Sequence, residues 1–207
     1  MLAKRIIDSR WFLWTLLLVP TLPMIVALLD GAVRPDGKPV TEALLHPTGK
    51  LAARFMIIAM VLTPLRLLFS RSRLILWAIK RRRYFGVAAF GYALAHTVLY
   101  VVDMGSLHSM LDELWALGIW TGWLAFLIFV PLAMTSNQIA VRAMGRSWKL
   151  LQRLVYPAAV ATLVHWIFVH NNLGPALVYF LPLVGLEGYR VWYTYARVGS
   201  HKVQTVQ

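Results

Sequence analysis

The chain has 207 residues, of which 59% are hydrophobic, and its 21 Lys and Arg against eight acids give a formal net charge of +13. A soluble domain of this size is far less apolar, so a lipid bilayer is the expected solvent. No cysteine is present, which excludes disulfides, thiolate zinc sites, iron–sulfur clusters and cysteine nucleophiles. The basic residues lie in short stretches between apolar segments, a pattern typical of membrane topology and not of a surface that binds nucleic acid.

The apolar segments predict an all-α integral membrane protein with six transmembrane helices in one domain over residues 1–207. A helix needs about 20 apolar residues to cross the hydrocarbon core. The first segment is interpreted as a retained span, because it is longer than a signal-peptide core and lacks a small-residue cleavage site. The last two are separated by Asn171-Asn172-Leu173-Gly174-Pro175, a strong turn signal. The predicted spans are 11–29, 51–70, 84–102, 115–135, 154–170 and 175–194.

The basic residues predict the orientation, because Lys and Arg of short loops stay in the cytoplasm. With both termini inside, 17 of the 21 basic residues fall in cytoplasmic segments. The exceptions are Arg34, Lys38, Lys50 and Arg54. We therefore expect both termini in the cytoplasm.

Six histidines differ in their predicted depth. His46 and His108 are placed in outer loops and His201 in the polar tail, where a surface role is the plain interpretation. His96 lies inside the third span and His165 inside the fifth, where an ionisable side chain is costly and indicates a functional site. The alternative for these two is a histidine that simply bonds to the backbone of a neighbouring helix.

The depths of His96 and His165 match. His96 lies 12 residues after Tyr84 and His165 lies 11 after Leu154, so both are roughly 16–18 Å from the cytoplasmic start of their helices. Two imidazoles at one depth are what bis-histidine ligation of a heme iron requires. Small residues precede both histidines and leave room for a flat macrocycle, although close helix packing in lipid favours the same residues.

His170 is a second candidate on the fifth span. Five residues after His165 correspond to about 500° of rotation, so the two side chains do not share a face. We expect His170 at the outer interface, near a heme propionate or a docking partner.

Several short motifs occur in an order that resembles a known family. The chain is similar to the ferric-reductase-like transmembrane domain family and, within it, to the heme-binding membrane subunits of periplasmic methionine sulfoxide reductase systems. The motifs that carry the resemblance span roughly residues 46–170. They are His46-Pro-Thr-Gly-Lys, Leu62-Thr-Pro-Leu-Arg, Arg82-Arg-Tyr-Phe-Gly, Tyr92-Ala-Leu-Ala-His, Pro131-Leu-Ala-Met-Thr-Ser, Gly145-Arg-Ser-Trp and Arg153-Leu-Val-Tyr.

The resemblance implies that His96 and His165 are the axial ligands of a b-type heme. It also implies FMN as a further cofactor, a location in the bacterial inner membrane, and a periplasmic molybdoenzyme that repairs oxidised methionine as the electron acceptor. The family usually has a further histidine in the stretch that here runs from Trp148 to Tyr156, where this chain has none. Gln152 in that stretch is not a credible replacement, since glutamine is not an axial ligand. We therefore expect one heme and not two. The segment before the fourth span also lacks the Arg-Pro-Tyr pattern of the family.

Electrons must then enter through a flavin, a membrane quinol or a cytoplasmic flavin reductase. The basic residues Arg82, Arg83, Arg146 and Lys149 are candidates for holding a flavin phosphate or docking such a reductase. The alternative for these four is a topology signal that contacts anionic lipid.

Two other functions stay open from the sequence. One is a quinone- or metal-reducing membrane cytochrome of the same family, and the other is a heme-free transporter or assembly scaffold. No ladder of intramembrane carboxylates supports a transporter, and Glu187 is expected to pair with Arg190, three residues later.

Overall fold

A computed structural model describes the backbone of residues 8–30 and 39–204, and the side chains as far as residue 196. Every regular element within these ranges is a helix. The predicted cytoplasmic N-terminal segment, the basic residues Arg34 and Lys38, and the side chain of His201 lie outside this description. The helices are α1 (Arg10–Leu18), α2 (Thr21–Leu29), α3 (Val40–Leu68), α4 (Arg73–Lys80), α5 (Arg82–Met104), α6 (Leu107–Glu113), α7 (Leu117–Met134), α8 (Gln138–Met144), α9 (Arg146–Gln152), α10 (Val155–His170) and α11 (Leu173–Gln204).

Within the described ranges, four helical segments are long and apolar enough to cross a membrane, or five if the bent pair α1 and α2 forms one span. They are Val40–Leu68, Arg82–Met104, Leu117–Met134 and Arg146–His170, the last combining α9 and α10. The chain is therefore a multi-pass membrane protein. The sixth predicted span, 175–194, lies within α11, which is outside this set, so six spans and cytoplasmic termini stay predictions.

The first predicted span differs from the structure because it is not one straight helix. α1 and α2 meet at an angle of 49°. Pro20 lies at the break, where a proline ring prevents a regular continuation of the preceding helix.

The second predicted span also begins too late. The helix starts at Val40 and not at residue 51, so His46 lies in a helix and not in a loop. The sequence predicts a loop here, because Pro47 and its polar neighbours interrupt the apolar pattern. A proline removes one hydrogen bond of a membrane helix but does not end the helix where the surrounding protein supports it, and α3 continues through Pro47.

Two pairs of helices form the centre of the molecule. α3 packs mainly against α5, and α7 packs mainly against α10, while α11 covers α3. Their shared core contains Met56, Met60, Phe129, Trp166 and Phe180. Many large apolar side chains point away from this core, including Val102, Leu127, Val160 and Val178, each at least 60% exposed. Such an apolar exterior is expected where lipid surrounds the helices.

The bundle has two ends, which we name by their residues. α3 begins and α10 finishes at the histidine end, which carries His46 and His170. α5 begins at the arginine end, which carries Arg82 and Arg190. The predicted Glu187–Arg190 pair is confirmed, with an N–O distance of 3.1 Å. The turn predicted between the fifth and sixth spans is also confirmed, since α10 stops at Asn171, which has a left-handed backbone (φ 46°).

Candidate functional site

His96 and His165 face each other across the gap between the two helix pairs. Their ring centroids are 6.0 Å apart and the ring planes cross at 80°. His96 lies on α5 and His165 on α10. The matching depths expected from the sequence therefore bring the two rings together.

Each of the two rings bonds to a backbone carbonyl of the helix it packs against. His96 Nδ1 is 2.9 Å from the Leu45 carbonyl oxygen, and His165 Nδ1 is 2.7 Å from that of Gly118. A carbonyl oxygen can only accept, so Nδ1 carries the hydrogen in both rings. The Nε2 lone pair of each histidine is then free for a metal ion, with its tautomer fixed as in most histidine ligands of metals.

A glycine lies against each ring. A Cβ atom added at Gly122 would be 2.6 Å from His165 Nδ1, and one added at Gly49 would be 3.2 Å from His96 Nδ1. Any larger residue at position 122 would therefore displace the imidazole. The absent side chains allow both rings to approach their carbonyls.

The spacing of the rings fits one metal ion held between them. A metal–imidazole bond of about 2.0–2.1 Å on each side puts the ring centroids roughly 6 Å apart once the ring radii are added. Among the described residues, no group of three or more His, Cys, Asp or Glu could hold a bare metal ion. Two imidazoles are too few for a bare ion but complete the coordination of an iron whose other four ligands belong to a macrocycle.

A cavity of about 430 Å³ surrounds the two rings, within the usual range for cofactor sites. Its walls are mostly apolar and include Ala53, Ala93, Ala125, Phe126 and Phe129. The small residues on α3, α5 and α7 leave the space between the helix pairs open.

Polar side chains line the same cavity toward the histidine end. His46 Nδ1 lies 3.2 Å from His170 Nε2, which joins α3 to α10. Lys50 lines the cavity beside them. The Tyr100 hydroxyl is buried, and no described residue bonds to it. We call His46, Lys50, Tyr100 and His170 the polar rim.

The expectation for His170 and that for His46 have different outcomes. His170 lines the cavity and is exposed, while its expected position at the outer interface stays a prediction. The placement of His46 in a loop is wrong, because it lies in the long helix α3. Its side chain is exposed, as expected of a surface residue, and it contacts His170. His108 is exposed and lies 3.5 Å from Asp112, four residues later in α6.

A second cavity of about 770 Å³ lies toward the arginine end. Arg82, Arg83 and Lys149 line it, whereas Arg146 is exposed and does not. No histidine is found among its lining residues. Gln152 also lines it and donates from Nε2 to the Leu132 carbonyl and the Thr135 hydroxyl. Phe129 lines both cavities.

Comparison with known proteins gives consistent results. The family described as "Ferric reductase like transmembrane component" matches residues 48–163. A protein of Brucella anthropi named protein-methionine-sulfoxide reductase heme-binding subunit MsrQ is 33% identical over 167 residues, covering 79% of this chain and 74% of the relative. The protein of the same name from Brucella ovis is 33% identical over 162 residues, covering 77% and 71%. No solved structure matches the chain significantly.

The family match extends over more than half of the chain and contains His96, both ring-contacting glycines and all of α5 and α7. The relatives extend the similarity to over three quarters of the chain. The chain therefore belongs to the family of ferric reductase like transmembrane components, and within it to the MsrQ type.

Proposed function

We propose that this chain is a b-type heme-binding membrane subunit that carries electrons across the bacterial inner membrane to a periplasmic methionine sulfoxide reductase. The observation that carries the proposal is the pair of facing imidazoles, 6.0 Å apart, with Nδ1 bonded to a carbonyl on each side. A bound heme supplies the one-electron chemistry of its iron. The chain supplies the two axial nitrogens, the tautomers that expose them and a largely dry cavity. The MsrQ relatives, named as heme-binding subunits, support the same conclusion.

The second cavity is the proposed place of electron entry. Its lack of a histidine, together with Gln152, supports a single heme in the chain. Arg82, Arg83 and Lys149 give it a positive lining that suits the phosphate of FMN, while its apolar wall of Met56, Met60 and Phe90 suits the ring of a flavin or of a membrane quinol. Arg146 lies outside this cavity, so its proposed role is limited to docking a cytoplasmic flavin reductase. Phe129, which lines both cavities, would contact an occupant of either one.

The polar rim is the proposed partner of the heme carboxylates. A heme is apolar except for two propionates on one edge. The cavity carries the charged side chains of Lys50 and Glu42 and the His46–His170 pair toward the histidine end. Tyr100 follows His96 by four residues and His170 follows His165 by five, so both lie about 6–7.5 Å beyond the ligands along their helices. Neutral His46 and His170 carry one N–H each. One of these donates to the other ring, and the second is left free whichever ring is the donor. Three donors here suit carboxylates: that N–H, the Tyr100 hydroxyl and the Lys50 ammonium.

Removing the charge of Lys50 is expected to reduce discrimination between hemin and its dimethyl ester, in which both carboxylates are blocked. A charge-assisted hydrogen bond contributes enough to change an affinity about tenfold or more. We expect the unmodified protein to favour hemin by at least about tenfold and Lys50→Met to lose most of that preference. Titration of the purified apoprotein in detergent with each porphyrin measures both affinities.

Arg54→Met is the matched control for that experiment. Arg54 lies one turn further along α3, bonds to the Tyr179 hydroxyl and does not line the cavity. It should keep the full preference for hemin. Equal affinity of the unmodified protein for hemin and the ester would contradict the role of the rim but not the binding of heme.

The proposed function is tested by the absorption spectrum of the purified protein before and after dithionite, with heme quantified against protein. We expect b-type bands that sharpen on reduction and about one heme per chain. A ratio near two would show a second ligand pair. Absence of b-type bands in protein made with adequate heme supply would reject the proposal and favour a heme-free transporter or scaffold. Reduction of a quinone or a metal ion in the absence of any periplasmic partner would instead favour a self-contained reductase.

A further inference from the structure

The two histidines rest on the same local arrangement of residues, built once on α3 and once on α7. On α3, the Thr48 hydroxyl donates to the carbonyls of Leu44 (2.7 Å) and Leu45 (2.9 Å), which lie four and three residues earlier. The second of these carbonyls is the one that accepts from His96. The next residue is Gly49, which contacts the His96 ring.

The arrangement on α7 repeats this pattern position by position. The Thr121 hydroxyl donates to the carbonyls of Leu117 (2.6 Å) and Gly118 (3.0 Å). The Gly118 carbonyl also accepts from His165, and Gly122 contacts that ring. We call each unit a Thr-Gly cradle: a shared carbonyl, a threonine three residues later and a glycine after it.

The burial of the two threonines sets them apart from other polar residues. Thr48 is 2% exposed and Thr121 is 3% exposed, and they are the polar side chains that the described part of the chain buries completely. A hydroxyl that bonds back to its own helix does nothing for helix stability that an alanine would not do. A threonine nevertheless lies three residues after the carbonyl that each histidine bonds to. This repeated position indicates that the threonine acts on that shared carbonyl.

The chemistry of the shared carbonyl gives the threonines their role. In a regular helix this oxygen already accepts from the N–H four residues later, and it has two lone pairs. The threonine hydroxyl and the imidazole Nδ1–H therefore compete for the same acceptor. Thr48 Oγ1 also lies 3.4 Å from His96 Nδ1, too long a distance for it to replace the carbonyl as a strong acceptor. Competition weakens the bond from Nδ1–H, and a histidine with a weaker bond at Nδ1 is a weaker donor to a metal through Nε2.

We propose that Thr48 and Thr121 are matched positioning residues that weaken both axial histidines as donors and thereby raise the reduction potential of the bound heme. The inference rests on the proposed function. A less basic axial ligand stabilises the ferric iron less, so the addition of one electron to give ferrous iron becomes more favourable. Because the cradles act through separate carbonyls on separate helices, their effects should add.

Replacing each threonine with valine tests the proposal, because valine keeps the shape and removes the hydroxyl. We expect Thr48→Val and Thr121→Val each to lower the midpoint potential. The equilibrium constant for one-electron reduction should fall about threefold to tenfold in each variant, and a tenfold fall corresponds to about 59 mV. The double variant should show the sum. Thr48→Ser and Thr121→Ser keep the hydroxyl and should return the potential toward that of the unmodified protein. Redox titration of the heme-loaded protein, followed by its absorbance, gives the potentials of the five variants and of the unmodified protein.

Thr135→Val is the control variant. Thr135 caps the C-terminus of α7, the helix that carries Thr121, and its hydroxyl also donates to carbonyls four and three residues earlier, those of Pro131 and Leu132. Neither carbonyl bonds to a histidine, so this change should leave the potential unaltered. An unchanged or raised potential in both valine variants would overturn the inference, as would an equal fall in Thr135→Val. If a valine variant retains less heme, it is compared with the serine variant at the same position. A serine variant that loses heme equally, although it keeps the hydroxyl, would also overturn the inference. Failure of the unmodified protein to bind heme would instead reject the proposed function.

Discussion

Replacing either His96 or His165 with alanine is expected to remove most of the bound heme. Each change deletes one axial nitrogen and leaves the other imidazole facing an open side of the cavity. The two rings lie 6.0 Å apart, and no described side chain other than His46 and His170 offers a further imidazole to this cavity. Heme content per protein, measured after purification with and without added hemin, should fall at least about tenfold in each variant.

His108→Ala is the control for both ligand variants. His108 is exposed, pairs with Asp112 and lies outside the cavity, so the change should leave heme content unaltered. Full heme content in both His96→Ala and His165→Ala would contradict the assignment of the ligands. Loss of heme in only one of them would indicate that His46 or His170 serves as the ligand on the other side.

Adding a single methyl group at Gly122 is expected to reduce heme affinity nearly as much. The new Cβ would lie 2.6 Å from His165 Nδ1 and 2.9 Å from its Cε1, closer than nonbonded atoms can approach. The ring must move, and its 2.7 Å hydrogen bond to the Gly118 carbonyl is then lost or distorted. Overpacking of this kind costs about 1–3 kcal/mol, and displacing a ligand from its fixed orientation costs about tenfold to hundredfold in metal affinity.

The comparison with other glycines makes this prediction specific. Gly49→Ala should have a smaller effect, because its Cβ would lie 3.2 Å from the His96 ring. Gly91→Ala should have none, because a Cβ at that position of α5 meets nothing within 4 Å. Hemin titration of the three variants gives the order of affinities. Equal affinity in Gly122→Ala and Gly91→Ala would contradict the role of the glycine.

Much of the fold followed from hydropathy alone, because a membrane helix must be long and continuously apolar. The predicted segments 84–102, 115–135 and 154–170 correspond closely to α5, α7 and α10. The facing of His96 and His165 also followed, since residues at equal depth on neighbouring helices can meet. These are properties of one helix at a time, and the sequence displays them directly.

The remaining features depend on how helices pack, which one sequence does not display. The contact between His46 and His170 requires α3 to continue through Pro47 and its N-terminal turns to meet the end of α10. The Thr-Gly cradles do leave a signal in the sequence, the repeated pair Thr48-Gly49 and Thr121-Gly122. This repeated pair indicates a role beside the histidines only when α3 is known to pack on α5 and α7 on α10.

The most direct test of the account is the electron paramagnetic resonance spectrum of the oxidised protein, recorded together with its near-infrared magnetic circular dichroism. The account predicts low-spin ferric heme with two neutral imidazole ligands. The near-perpendicular ring planes, at 80°, further predict a strongly anisotropic signal. High-spin ferric heme, or the charge-transfer band of a histidine–methionine pair, would contradict the claim that His96 and His165 hold one iron between them.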